Sequence, residues 1–228
     1  MSVKVGIVLF PGTNCELDVQ WAVEQLGGDA VLLWHGDATV QGVDAVVVPG
    51  GFAHGDYLRT GAIARFSPVM DAVSEFAASG GPVVGICNGF QVLTEAGLLP
   101  GALQKNAGLT FVCDTVTLRV ETTRTVLTGL ARPGAQLCIP INHFEGNYVC
   151  SPETLAELRD QDRVVVRYVE NPNGSLDDIA GICNEGGNVV GLMPHPERAS
   201  DLLLGSDDGV VMLRSLLAAA DEQSRARA

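Results

Sequence analysis

The chain has 228 residues, 46% of them hydrophobic, and a formal net charge of −13. That is ample apolar material for a large core, while the acidic balance argues against a phosphate-tracking nucleic-acid surface or adsorption to anionic membranes. No apolar run approaches the roughly 18 residues of a spanning helix, and no small-residue cleavage site follows a long apolar region, so a cytoplasmic protein is expected.

Val3 to Phe10 reads as a buried strand, closed by Pro11-Gly12. From Asn14 to Leu26 the apolar residues Leu17, Ala22, Val23 and Leu26 form a helical stripe that Gly27-Gly28 ends. Ala30 to Trp34 and Ala45 to Val48 are two more strands. A helix is predicted over 62–78, and the run from Pro82 to Cys87 leads into a helix over 88–96. This alternation predicts an α/β fold, a mostly parallel sheet flanked by helices. From about Leu109 to Glu121 the pattern becomes alternating and β-branched, and 136–141, 164–169, 180–184 and 189–193 read as further strands. Glu185-Gly186-Gly187-Asn188 suits a hairpin between the last two, which adds an antiparallel portion. Gly209 to Ala220 is a closing helix. The reading is one domain over 1–222 and a polar, frayed tail over 223–228.

Six cysteines (Cys15, Cys87, Cys113, Cys138, Cys150, Cys183) form no C-x-x-C pair, and His35, His54, His143 and His195 show no zinc-type spacing. No metal is expected, and most of these cysteines read as reduced core residues. Cys87 differs. In Gly85-Ile86-Cys87-Asn88-Gly89 it stands between a buried strand and a helix, with a glycine two positions to either side. A G-x-S-x-G elbow presents its serine the same way, so the thiol is placed to attack a carbonyl.

Such a nucleophile needs a base, and the base needs an orienting group. Met193-Pro194-His195-Pro196-Glu197 supplies both. Pro196 biases His195 to an extended backbone, where residues i and i+2 share a side. Glu197 can then hold one ring nitrogen and leave the other for Cys87. The strand over 189–193 is expected to deliver the pair to the same sheet edge as Cys87. In Pro49-Gly50-Gly51-Phe52, the N–H of Gly51 can serve with that of Asn88 as an oxyanion hole. The same glycine pair also suits an ordinary strand-to-helix turn. Asp56 and Arg59 fit either a helix cap with an ion pair or an interface patch. His143 and Glu145 fit either contacts to charged substrate groups or a solvated loop. No phosphate-binding loop is present, so nothing in the chain recognisably binds ATP.

These residues together resemble a class I glutamine amidotransferase. Phe10-Pro11-Gly12-Thr13-Asn14-Cys15, Gly55-Asp56-Tyr57-Leu58-Arg59 and Pro194-His195-Pro196-Glu197-Arg198 narrow the resemblance to the glutaminase subunits of phosphoribosylformylglycinamidine synthases. The resemblance runs from the first strand to Gly209. It implies a flavodoxin-like domain that hydrolyses glutamine through Cys87, His195 and Glu197, with Gln91 and the segment around His143 holding the substrate. It further implies a large synthetase subunit carrying ATP and magnesium, a small accessory subunit, and a place in purine synthesis. The alternatives are an amidotransferase subunit of another synthetase and a non-catalytic binding module on the same fold.

Overall fold

The computed structural model describes residues 2–227. The chain begins with β1 (Lys4–Leu9), α1 (Glu16–Gln25), β2 (Asp29–Trp34), β3 (Ala45–Val48), α2 (Pro68–Ala78), β4 (Val83–Ile86) and α3 (Asn88–Glu95). Next come β5 (Ala102–Gln104), β6 (Val112–Val120), β7 (Gln136–His143), β8 (Asn147–Val149) and α4 (Pro152–Asp160). It closes with β9 (Val164–Tyr168), β10 (Ile179–Cys183), β11 (Val189–Leu192) and α5 (Val210–Arg227).

Nine strands form one sheet in the order β2-β1-β3-β4-β11-β10-β9-β6-β7, and β5 pairs with β8 separately. The strands from β2 to β11 pair in parallel. From β11 onward each pairing is antiparallel. β11 is therefore the seam of a mixed sheet, parallel with β4 and antiparallel with β10. β3, β4 and β11 are buried along their whole length. That is why they are written as unbroken runs of small and β-branched apolar residues. β6, beyond the seam, is exposed over much of its length.

The parallel registers matter for function. Val48 sits opposite Gly85, and Leu192 opposite Ile86. Three neighbouring strands therefore end at one level, and their carboxyl ends open onto the same crevice. The expected hairpin joins β10 to β11, and Asn188 at its tip donates to the carbonyls of Ala77 and Gly81, pinning it to the end of α2.

Several expectations are corrected. The helix predicted over 62–78 starts only at Pro68, after a single 3₁₀ turn over Ala64–Phe66. Ser67 has ψ of 138°, the extended conformation a following proline imposes, and Pro68 then serves as the first helical residue. Leu17 faces solvent, and Val19 takes its place in the buried stripe of α1. The tail is helical through Arg227, supported by an Asp221–Arg225 pair at 2.6 Å one turn apart, while Ala228 lies outside the described residues. β5, β8 and α4 were not anticipated.

Gly89 packs the start of α3 against β3. A Cβ there would run into the Val48 carbonyl group. Gly89→Ala should cost about 3 kcal/mol through overpacking, read as a lowered urea midpoint at unchanged m-value.

Candidate active site

Cys87 follows β4 directly and has φ 51° and ψ −107°. A non-glycine residue in that region stores about 1–3 kcal/mol of strain. The elbow is held by the Cys87 N–H, which donates to the Leu192 carbonyl at 2.8 Å. The bond ties the nucleophile to the end of β11. The sulfur itself lies 3.7 Å from the Asn142 carbonyl oxygen, on β7.

His195 and Glu197 follow β11. His195 Nδ1 lies 2.6 Å from Glu197 Oε1, and both side chains are buried. Their side-by-side placement agrees with the sequence reading, but its cause differs. Pro196 opens a 3₁₀ turn over Pro196–Arg198 instead of extending the strand, and the turn brings the carboxylate back under the ring. The His195 N–H donates to the Pro140 carbonyl at 2.9 Å, fixing the segment against β7. Burial alone would lower the His195 pKa, but the Glu197 carboxylate and then the Cys87 thiol outweigh it and hold the pKa well above the usual value. The Nε2 atom has no partner at full hydrogen-bond geometry, although the Cys87 and Cys15 thiols are near enough to interact with the ring.

The three strand ends meet over Gly50. A Cβ on that residue would lie 2.7 Å from His195 Cε1, 3.0 Å from Cys15 Sγ and 3.5 Å from Cys87 Cβ. The loop after β3 therefore approaches the thiol and the imidazole only because residue 50 has no side chain. Beside it, Asn14 donates to the Gly50 carbonyl and Phe52 to the Gly12 carbonyl. Those two bonds flank Gly51 and leave its N–H outside the bridge to Thr13. Asn88 is the first residue of α3, so its N–H has no partner within the helix.

A cavity of about 410 Å³ opens above this centre and includes Cys87, Gln91, His143, His195, Asp56 and Glu145 in its wall. One polar network builds that wall. The Asn88 side chain accepts from the Ala53 N–H and donates to Gln91 Oε1 at 2.8 Å and Asp56 Oδ1 at 3.3 Å. Gln91 Nε2 donates to the Glu145 carbonyl at 2.5 Å. Gln91 thus braces the loop after β7 against α3 with both ends of its amide. Asp56 belongs to the wall, where burial first, then the Glu145 charge, raises its pKa to about 6. Arg59 sits on the exposed rim and forks onto Glu95 with bonds of 2.7 and 2.6 Å.

His143 is buried, and its Nδ1 lies 3.1 Å from Asn106 Oδ1. That oxygen also accepts from the Gly146 N–H, while Asn106 Nδ2 donates to the carbonyls of Thr110 and His143. Asn106 can only accept from the ring, so Nδ1 carries the proton and Nε2 is left with a lone pair. Burial first, then His195, lowers the His143 pKa to about 4 and keeps the ring neutral.

Sequence reasoning missed Asn106, Cys15 and Arg198 as parts of this region. Asn106 carries no local signal. Cys15 is the residue before α1, at the sheet edge where ligands bind, and that position was the available clue.

A strained thiol at a strand–helix elbow, with a histidine–carboxylate pair on the neighbouring strand end, defines a cysteine-dependent acyl-transfer enzyme. Residues 2–207 match the model of the CobB/CobQ-like glutamine amidotransferase domain. The chain is 60% identical over 217 residues to the phosphoribosylformylglycinamidine synthase subunit PurQ of Rubrobacter xylanophilus, covering 95% of this chain and 99% of the relative. It is 55% identical over 226 residues to the same subunit of Koribacter versatilis, covering 95% and 98%. It is also similar to a chain in the structure of PurLQS from Thermotoga maritima, with a TM-score of 0.88, 40% identity, and coverage of 96% and 99%. The chain belongs to the PurQ family of glutamine amidotransferase subunits.

Proposed function

We propose that this chain hydrolyses glutamine through a Cys87 thioester and delivers the ammonia to a separate ATP- and magnesium-dependent synthetase subunit, which aminates formylglycinamide ribonucleotide in purine synthesis. The observation that carries the reading is the convergence of Cys87, His195 and Glu197 at the ends of β4 and β11. The Cys87 sulfur attacks the carboxamide carbon. The N–H groups of Gly51 and Asn88 receive the oxyanion, and His195 Nε2 passes the thiol proton to the departing nitrogen. Water then attacks the thioester and releases glutamate.

Asp56 and Glu145 on one hand, and Arg59 and Lys105 on the other, line the cavity and suit the zwitterionic end of glutamine. A large synthetase subunit and a small accessory subunit are the expected partners. Exposed Phe52, Leu58 and Phe111 at the cavity wall support a docking surface there, with Arg59 on its rim. His54, Asp56 and Leu58 all have positive φ, so this loop is strained and suited to reordering on docking. Among the described residues no helix is long and apolar enough to cross a membrane.

Asp56 yields a prediction with two opposed signs. Its pKa, raised from 3.8 to about 6, means the folded state holds its proton longer than the unfolded state. Stability is therefore lost as pH rises from about 4 to 6. Asp56→Asn should recover about 1–2 kcal/mol above pH 6, after discounting for partial exposure, and nothing near pH 4. The same variant should raise the KM for glutamine about tenfold at pH 7.5 through loss of a charged contact. Thermal melts and steady-state kinetics across pH check the two halves.

The functional reading is tested by reconstitution with candidate synthetase partners. Amination of formylglycinamide ribonucleotide that gains glutamine dependence from this chain supports it. Glutamine-dependent amination of another synthetase's acceptor instead would reassign the subunit.

A further inference from the structure

Glu197 gives Oε1 to His195 Nδ1 at 2.6 Å, while its Oε2 is buried with no partner among the described residues. The next residue in the chain is Arg198, whose long side chain and planar fork suit a carboxylate. Arg198 nevertheless turns to α1. Its Nε donates to Asp18 Oδ2 at 3.0 Å, in the first turn of that helix, and its Nη2 donates to Cys15 Sγ at 3.3 Å. The Cys15 sulfur lies within 4.8 Å of a Glu197 carboxylate oxygen. The guanidinium is therefore separated from the catalytic carboxylate by little more than one thiol, and no hydrogen bond or ion pair joins the two among the described residues.

We infer that Asp18 is a positioning residue for the reaction: it anchors the Arg198 guanidinium on α1 and so keeps the Glu197 carboxylate committed to His195. A buried carboxylate with one strong partner directs its charge at the imidazole and stabilises the imidazolium that forms when His195 takes the thiol proton. A guanidinium on Oε2 shares that charge. Its charge-assisted bond is about twice as strong as a neutral one, and burial strengthens it further. The titratable groups around the ring are Cys87 from the end of β4, Cys15 before α1, His143 on β7 and Glu197 on its own turn. Glu197 alone among them is a carboxylate, so no other acid makes up the charge that Arg198 would take. The Asp18–Arg198 pair is partly exposed, with side chains 43% and 33% accessible, and contributes little to stability. An acid in the first turn of α1 is favourable for the helix in any case, and the experiment separates that role from the one inferred. The effect on rate rests on the glutaminase reading, whereas the effect on the His195 ring is measured without turnover.

The experiment is a double-mutant cycle on Asp18→Asn and Arg198→Gln. In the assembled complex Asp18→Asn should lower glutamine-dependent kcat by about tenfold, with little change in KM and the ammonium-dependent rate intact, because one released charge weakens the acid–base step. The double variant should run as fast as Arg198→Gln alone, since Asp18 has nothing to restrain once the guanidinium is gone. A ¹⁵N titration of the histidine rings in the isolated full chain should show the His195 pKa falling in Asp18→Asn and no such fall when Asp18→Asn is added to Arg198→Gln. A full rate in Asp18→Asn with His195 unmoved would overturn the inference. So would an equal loss from Asp18→Asn with and without the guanidinium, which is what a purely structural helix contact produces. A His195 shift that follows the cycle in a complex that never uses glutamine would uphold the positioning of the ring and remove the glutaminase reading instead.

Discussion

Cys87→Ala should abolish glutamine-dependent synthesis by the assembled enzyme and leave the ammonium-dependent rate unchanged. Removal of a nucleophile that works as a unit with its base costs on the order of 10⁶ in kcat, so only a trace of glutamine turnover should survive. The folding penalty should be small or even negative. Alanine removes one sulfur from a residue whose φ of 51° already strains the elbow, and the N–H bond to Leu192 that anchors the turn is a backbone bond. Parallel assays with glutamine and with ammonium salts separate loss of the thiol from loss of subunit docking. Loss of both rates would point to a docking defect.

Glu197→Gln should lower glutamine-dependent kcat by about 10⁴ with little change in KM, the size of effect seen when the carboxylate of a triad becomes an amide. Glu197 accepts from Nδ1 at 2.6 Å, and both side chains are buried. That forces the proton onto Nδ1 and leaves Nε2 as the base. A glutamine amide rotated to donate to Nδ1 would favour the opposite tautomer and cancel the base. Removal of the charge also lets burial dominate, so the His195 pKa should fall from its raised position. A ¹⁵N or ¹³C titration of the ring checks the shift independently of rate.

The parts of the sequence that were legible are those where one local pattern has a single structural meaning. β3, β4 and β11 are apolar throughout because both faces of each are covered. Gly85 and Gly89 mark the elbow because a Cβ on Gly85 would run into the Gly89 backbone and Leu93, and one on Gly89 into the Val48 carbonyl group. His195 and Glu197 declare themselves by spacing, even though a 3₁₀ turn and not a strand brings them together.

What stayed hidden depends on contacts remote in sequence. α4 buries one residue, Leu158, and so carries hardly any stripe. β5 and β8 have three residues each, too few for a period to show. Asn106 sets the tautomer of His143 across 37 positions. Cys15 meets Arg198 across 183 positions, and although each stands beside a segment that leads to the site, no spacing in the sequence pairs the two. From its loop sequence Asp56 fits a helix cap or an interface patch, and only the structure, where Asn88 bonds to it, puts it in the cavity wall.

The central claim is that Cys87 is the sulfur that takes the acyl group. It is tested most directly by treating the assembled complex with a glutamine-mimicking electrophile and mapping the adduct by peptide mass spectrometry. The account predicts one adduct per chain, on the peptide containing Cys87, with glutamine protecting against it and Glu197→Gln slowing its formation. Labelling confined to Cys15, or no labelling of Cys87 while glutamine is still consumed, would contradict it.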